Sequence, residues 1–160
     1  MLIYRFIGGL GVIVSGLLIY YVREEFEKKK SIQIDSYIKL ISYIKTQVEC
    51  FILPINTILD RCDNILLINC GFGNDINPKT ITELLNGSKF YADEDFINKL
   101  YDFAQDFGHS YANDQIKLCD RYIMDLSKIQ EKYSNQRTKD KKLSFSICLS
   151  ISLSLILILI

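Results

Sequence analysis

Tryptophan is absent from the 160 residues, proline occurs twice, histidine once, and lysine plus arginine equals aspartate plus glutamate, 19 against 19. With no excess of either sign there is no long-range positive field to gather a polyanion, which argues against a DNA or RNA partner. The scarcity of proline and the eight glycines leave too few turn signals for a sandwich or barrel, which needs one every few residues. An all-α fold is expected, with one soluble domain as the prior for a chain of this length. Five cysteines at 50, 62, 70, 119 and 148 form no C-x-x-C pair and have only His109 as a nitrogen partner. That pattern points to neither a zinc site nor a disulfide framework, and it fits a reducing compartment. Cys50 and Cys119 fall on apolar helix stripes, where a thiol serves as a small hydrophobe.

Long apolar runs, by contrast, are present at both ends. Leu2 to Tyr21 carries a single charge, Arg5, and twenty helical residues at about 1.5 Å each reach the roughly 30 Å of a hydrocarbon core. Arg5 is near enough to one end to snorkel, and Tyr20 and Tyr21 mark the other boundary as an aromatic belt does. The run exceeds the h-region of a signal peptide, and no small-residue cleavage site follows it, so a retained span is expected. Leu143 to Ile160 is uncharged and alternates serine with apolar residues. A helix is favoured over a strand there, because a lone strand in lipid leaves its backbone unpaired. The resulting division is 2–22 and 143–160 as transmembrane helices and 23–142 as a helical bundle. Arg23, Lys28, Lys29 and Lys30 follow the first span, and Arg137, Lys139, Lys141 and Lys142 precede the second. The positive-inside rule then places the middle in the cytoplasm. Gly8, Gly11 and Ser15 in one span, and Ser146, Ser150 and Ser154 in the other, suit close helix packing. They fit a hairpin, a neighbouring subunit, or serines bonded back to their own helix.

In the middle, Ile34, Tyr37, Ile41, Ile44, Val48 and Phe51 recur in steps of three and four, the mark of one helical stripe. That helix should stop before Pro54. A second helix is expected over Pro54 to Leu67, with Ile55, Ile58 and Leu59 inward and GFGND ending it. Gly71-Phe72-Gly73 lacks the strand and the Gly-Lys-Ser/Thr of a phosphate loop and reads as a turn. Asn77-Pro78-Lys79 reads as the start of a short helix that Asn86-Gly87 closes. Asp93-Glu94-Asp95 opens the next one, whose stripe is Phe96, Leu100, Phe103 and Phe107 and which ends at Gly108. Those carboxylates suit the first turn of a helix better than a metal or acid–base site, since consecutive side chains do not share a face. His109 reads as a surface loop residue. The last helix begins near Asn113 or Asp114, carries Cys119, Tyr122, Leu126, Ile129 and Tyr133 on one face, and meets no glycine or proline before the chain ends. It should run into the membrane, with the first helix similarly continuous with its span. No catalytic, cofactor-binding or metal-binding constellation emerges; a membrane enzyme would need convergent polar groups that the spans lack.

The stretch Leu100–Leu126, LYDFAQDFGHSYANDQIKLCDRYIMDL, together with a span at each end of the chain, resembles stage III sporulation protein AB of endospore-forming bacteria. Leu100, Phe103, Gly108 and Gln115 stand at the spacings of that family's pattern. Ala104 replaces its first glycine, Phe107 its leucine, and Tyr111 stands where aspartate is usual. The glycines usual in the last span are replaced by serine-rich sequence. The resemblance implies a non-enzymatic platform in a secretion-like complex linking mother cell and forespore, located in the mother-cell membrane. Its implied partners are a cytoplasmic secretion-type ATPase and other sporulation membrane proteins. The alternative is a membrane-anchored structural or adaptor protein of other bacterial machinery.

Overall fold

The computed structural model describes the backbone of residues 2–73 and 77–159, and the side chains of these except 2–13, 19, 139–145, 148, 149 and 151–159. The described residues form six helices and no strand. They are α1 (Leu2–Phe51), α2 (Ile55–Asp60), α3 (Asn64–Asn69), α4 (Ile81–Asn86), α5 (Glu94–Asp106) and α6 (Ala112–Leu159). The chain divides into two compact units, 29–132 and a second made of 1–28 with 133–160.

In the unit 29–132, α1 supplies the central stripe: Ile34, Tyr37, Leu40, Ile41, Ile44 and Val48 are all buried. The 3-4 spacing holds one face of the helix against the rest of the chain, and β-branched or aromatic residues fill that face with little rotamer freedom to lose. α6 lies antiparallel to α1 in this unit. Lys45 Nζ reaches Asp120 at 2.7 Å, and ten residues back along α1 Asp35 accepts a long 3.5 Å bond from Gln130 Nε2. From α6 the buried contributions are Cys119, Tyr122 and Leu126, and from α5 Phe96, Leu100 and Phe103. The Phe103 ring meets Tyr122 edge-on at 5.2 Å and Phe107 at 5.3 Å.

Local signals set the short elements. α1 stops at Phe51 as expected, with Ile52 in a left-handed conformation (φ +50°) and its N–H donating to the Val48 carbonyl. The single helix expected over Pro54 to Leu67 is two. Asp63 breaks it by accepting from the Ile65 N–H at 2.9 Å, an N-cap that makes Asn64 the start of α3. Ile58 and Leu59 are buried as expected; Ile55 is half-exposed. The start of α4 is three residues later than the Asn77-Pro78 signal suggests. Thr80 is its N-cap, accepting from Glu83 N–H at 3.1 Å, while the Glu83 carboxylate reaches back to Lys79 N–H at 2.9 Å. This is a shifted capping box, and it satisfies two donors that a bare Pro78 start would leave open. Asp93 is the N-cap of α5, as its position suggested, and α6 begins one residue before Asn113.

Gln33, a polar residue at the N-terminal end of the α1 stripe, is almost wholly buried. Its Nε2 donates to the carbonyls of Cys70 and Lys89, each at 2.8 Å, and its Oε1 accepts from the N–H groups of Tyr91 and Ala92 at 2.7 and 3.3 Å. One side chain thus ties both loops flanking α4 to α1. Beneath it Lys89 N–H donates to the Gly71 carbonyl, and Phe72 and Ser88 form an isolated antiparallel bridge. Gly71 is required here: φ is +98°, and a Cβ would stand 2.4 Å from the Lys89 carbonyl oxygen and 2.6 Å from Gln33 Nε2. Tyr37 donates to Ser88 Oγ at 3.1 Å, and Ser88 in turn donates to the Leu84 carbonyl at 2.7 Å.

Two members of the expected α1 stripe are not in the core: Cys50 and Phe51 are exposed. The cause is the left-handed turn at Ile52, which takes the chain off the helix before the next element covers the last turn. In the other unit, Glu24 and Arg137 pair at 2.6 Å between α1 and α6. Among the described residues no helix is long and apolar enough to cross a membrane. Most of the two stretches expected to span, 2–22 and 143–160, lies outside the residues whose side chains are described.

Candidate docking groove

At the end of the 29–132 unit opposite its entry and exit at Lys29 and Lys132, the α1–α2 turn meets the α5–α6 turn around a cavity of about 440 Å³. Val48, Ile52, Leu53, Pro54 and Ile55 form one wall; Phe107, Gly108, Ser110, Ala112 and Gln115 form the other. The local reasons are visible in each turn. Pro54 has no N–H and holds extended backbone (φ −69°, ψ 151°), so the segment Ile52–Pro54 crosses the end of the bundle without helical bonding. On the other side, Phe107 closes α5 in an extended conformation and Gly108 takes φ +95°. Gln115 Nε2 then donates to the Ser110 carbonyl at 2.8 Å, and Tyr111 accepts from the N–H groups of Asp114 and Gln115 at 2.9 and 3.0 Å.

Ile52 in the groove wall is 74% accessible, and Phe51 and Tyr111, which adjoin lining residues in the chain, are 64% and 87% accessible. Ile52 combines this exposure with a backbone conformation that costs a β-branched residue roughly 1–2 kcal/mol relative to the right-handed region. Strain of that kind persists where surrounding structure enforces it, and it clusters at binding sites. Beside the groove, Asp106 accepts from Tyr122 Oη at 2.9 Å and from Arg121 at 3.1 Å. Burial, reinforced by Asp106, pushes the Tyr122 hydroxyl up to about 12, so it stays a donor and holds α5 to α6.

Of the residues singled out in the sequence, Leu100 and Phe103 are core, while Phe107, Gly108 and Gln115 all line the groove. The short motif therefore contributes both to the packing under the site and to its wall. Tyr111, at the position where the resembled family has aspartate, is exposed on the α5–α6 turn. His109 is an exposed loop residue. Ile52 and Leu53 were not singled out in the sequence. Their signal was the unbroken apolar run Phe51-Ile52-Leu53 ahead of Pro54, which departs from the 3-4 spacing and so has no single buried face to serve.

The membrane-linked residues divide. Gly8, Gly11, Ser154, Lys139, Lys141 and Lys142 lie outside the described side chains. Ser15 and Ser146 are exposed, and Ser150 Oγ donates to the Ser146 carbonyl at 2.9 Å, so this serine bonds back to its own helix. Arg23, Lys28 and Lys29 are exposed. Lys30 departs from a simple topological charge: it is buried along its stem, and its ammonium pairs with Asp93 at 2.8 Å. Arg137 is engaged by Glu24. Among the described residues no group of three or more His, Cys, Asp or Glu side chains is placed to hold a metal ion.

No protein-family model, curated protein or solved structure matches the chain.

Proposed function

We propose that the protein is a non-enzymatic membrane platform of a secretion-like sporulation complex. Helices at its two ends anchor a cytoplasmic bundle whose groove docks a secretion-type ATPase. The observation that carries this reading is the pair of unbroken helices: α1 and α6 each continue from the bundle core through basic flanks into the apolar terminal stretches. A scaffold that holds a soluble motor at a bilayer needs a chain connection of this kind, and a groove walled by Ile52 and Leu53 supplies apolar anchors at which partner binding concentrates. The motif residues Phe107, Gly108 and Gln115 lie in that groove, which ties the resemblance to the surface.

The test has two arms. Deleting the gene in a spore-forming host should arrest development around engulfment while vegetative growth stays normal. Ile52→Asp should leave the protein folded and in the membrane yet abolish co-purification with the ATPase. Normal sporulation on deletion contradicts the sporulation role and favours an adaptor of other machinery. Arrest with undiminished co-purification by Ile52→Asp contradicts the groove as the docking surface.

A further inference from the structure

Asn86-Gly87 is the chain's one Asn-Gly pair. In such a pair the main-chain nitrogen after the asparagine has no Cβ beside it, so it can approach the side-chain amide carbon and displace ammonia. The fold sets this pair at a joint. Asn86 is the last residue of α4 and is exposed, and Gly87 caps the helix with φ −86° and ψ −2°. The two residues that follow carry contacts that tie this part of the chain to α1 and to the turn after α3. Ser88 Oγ accepts from Tyr37 Oη at 3.1 Å, the Lys89 carbonyl accepts from Gln33 Nε2 at 2.8 Å, and Lys89 N–H donates to the Gly71 carbonyl at 2.9 Å.

With α4 closed, the reaction is held back. Gly87 N–H donates to the Glu83 carbonyl at 3.0 Å, which engages the proton that the attacking nitrogen has to give up. The five-membered ring that the attack closes needs the Asn86 ψ turned well away from its helical value. Tyr101 Oη donates to Asn86 Oδ1 at 2.9 Å and holds the side chain towards α5. Yet α4 is only six residues long. Helix ends fray, and local openings need far less free energy than global unfolding.

We propose that Asn86 is a deamidation site gated by the end of α4, and that the modification, once made, keeps the joint open. On opening, the Gly87 nitrogen gives its proton to solvent base and bonds to Asn86 Cγ; the Cγ–Nδ2 bond breaks, and that nitrogen takes a proton and leaves as ammonia. Water then adds to one of the two imide carbonyls and reopens the ring, as aspartate or as isoaspartate. No electron changes hands. Both products place a carboxylate at the C-terminal end of a helix, where the macrodipole disfavours negative charge. Isoaspartate also inserts a carbon into the main chain, about 1.5 Å of extra length, immediately before Ser88 and Lys89. Hydrogen bonds with donor–acceptor distances near 3 Å do not survive a displacement of that size, so the Tyr37–Ser88 and Gln33–Lys89 contacts cannot reform in place.

The test incubates the full chain in mild detergent at slightly alkaline pH and follows Asn86 by peptide mapping with mass spectrometry, resolving isoaspartate from aspartate. A synthetic peptide spanning 82–92 gives the ungated rate. The folded chain should react at least about tenfold more slowly than the peptide, the factor that an opening free energy of about 1.4 kcal/mol produces. Urea below the unfolding midpoint, and separately Gln33→Ala, should bring the rate towards that of the peptide. Gly87→Ala, at a φ that any residue adopts, should remove the product. In the modified chain the Lys89 amide should exchange faster than in the unmodified one. Reaction of the folded chain at the peptide's rate would overturn the gate. Absence of product in urea that leaves the peptide reactive, or product undiminished in Gly87→Ala, would overturn the site. Unchanged exchange at Lys89 after modification would overturn the open joint.

Discussion

Replacing Gln33 with alanine should destabilise the protein far more than removal of an exposed amide would. The side chain holds two carbonyls and two N–H groups belonging to different loops, at 2.7 to 3.3 Å. Two of these groups, the Cys70 carbonyl and the Ala92 N–H, are buried, and water cannot replace the lost partner without opening the loops. At about 1–3 kcal/mol for each buried group left unsatisfied, the substitution should cost roughly 2–5 kcal/mol, with water recovering the two half-buried bonds. That is a large part of the 5–15 kcal/mol that ordinarily separates folded from unfolded. The assay is thermal unfolding of the full chain in mild detergent, followed by far-UV circular dichroism. At roughly 4–8 °C per kcal/mol for a domain of this size, the midpoint should fall by about 10 °C or more. Hydrogen exchange should quicken first at the amides of Lys89, Tyr91 and Ala92. A midpoint within about 2 °C of the wild type would mean that the loops flanking α4 are held by something other than Gln33, and would refute the reasoning.

Three further outcomes follow from the same geometry. Gly71→Ala should lower the midpoint by an amount comparable to Gln33→Ala, since the new Cβ meets Lys89 O and Gln33 Nε2 and φ is positive; unchanged stability in the same melt would argue against that close approach. Ile52→Gly should raise stability slightly, by about 0.5–1 kcal/mol, because relief of left-handed strain outweighs the loss of a mostly exposed side chain, while partner binding weakens; urea titration and co-purification read the two effects separately. Alkali should unfold the bundle early. Burial pushes the Cys119 thiol from 9.0 up to about 12, and Tyr122 from 10.0 to about 12, and it raises Cys62, Cys70 and Tyr37 as well. A raised folded value means the folded state holds the proton more tightly. The associated stability is complete below the unfolded value and is lost as pH rises toward the folded one, by up to about 1.4 kcal/mol per pH unit for each group. Melts should therefore fall steadily from about pH 9 upward, with a shallower slope in Cys119→Ala; a flat profile to about pH 11 would contradict the burial of these groups.

The long elements were legible because their signals repeat. Ile34, Tyr37, Ile41, Ile44 and Val48 each reinforce one helical period, as do Phe96, Leu100, Phe103 and Phe107, and all nine are buried. Short elements depend on one or two residues, and competing signals there decide wrongly. Asp63 reads as one more polar residue in a helix until its carboxylate is seen on the Ile65 N–H, and Pro78 looks a better helix start than Thr80 until Glu83 is seen closing the capping box. Gln33 was missed for a different reason. A buried amide leaves no periodic trace, because its partners are backbone groups 37 to 59 residues away. The groove was half legible: Phe107, Gly108 and Gln115 stood out through motif spacing, whereas Ile52 and Leu53 matter through a backbone turn that sequence spacing does not encode.

Cys50 offers the most direct test of the central claim, because it is exposed on the soluble unit while Cys62, Cys70 and Cys119 are buried. Membranes from cells expressing a Cys148→Ser variant would be washed with alkaline carbonate, and a membrane-impermeant maleimide applied to intact cells and, separately, to opened ones. A platform anchored at both ends with its bundle in the cytoplasm should stay in the washed membranes and be labelled at Cys50 only after the cells are opened. Release into the carbonate supernatant would contradict the anchors, and labelling of Cys50 in intact cells would contradict the orientation.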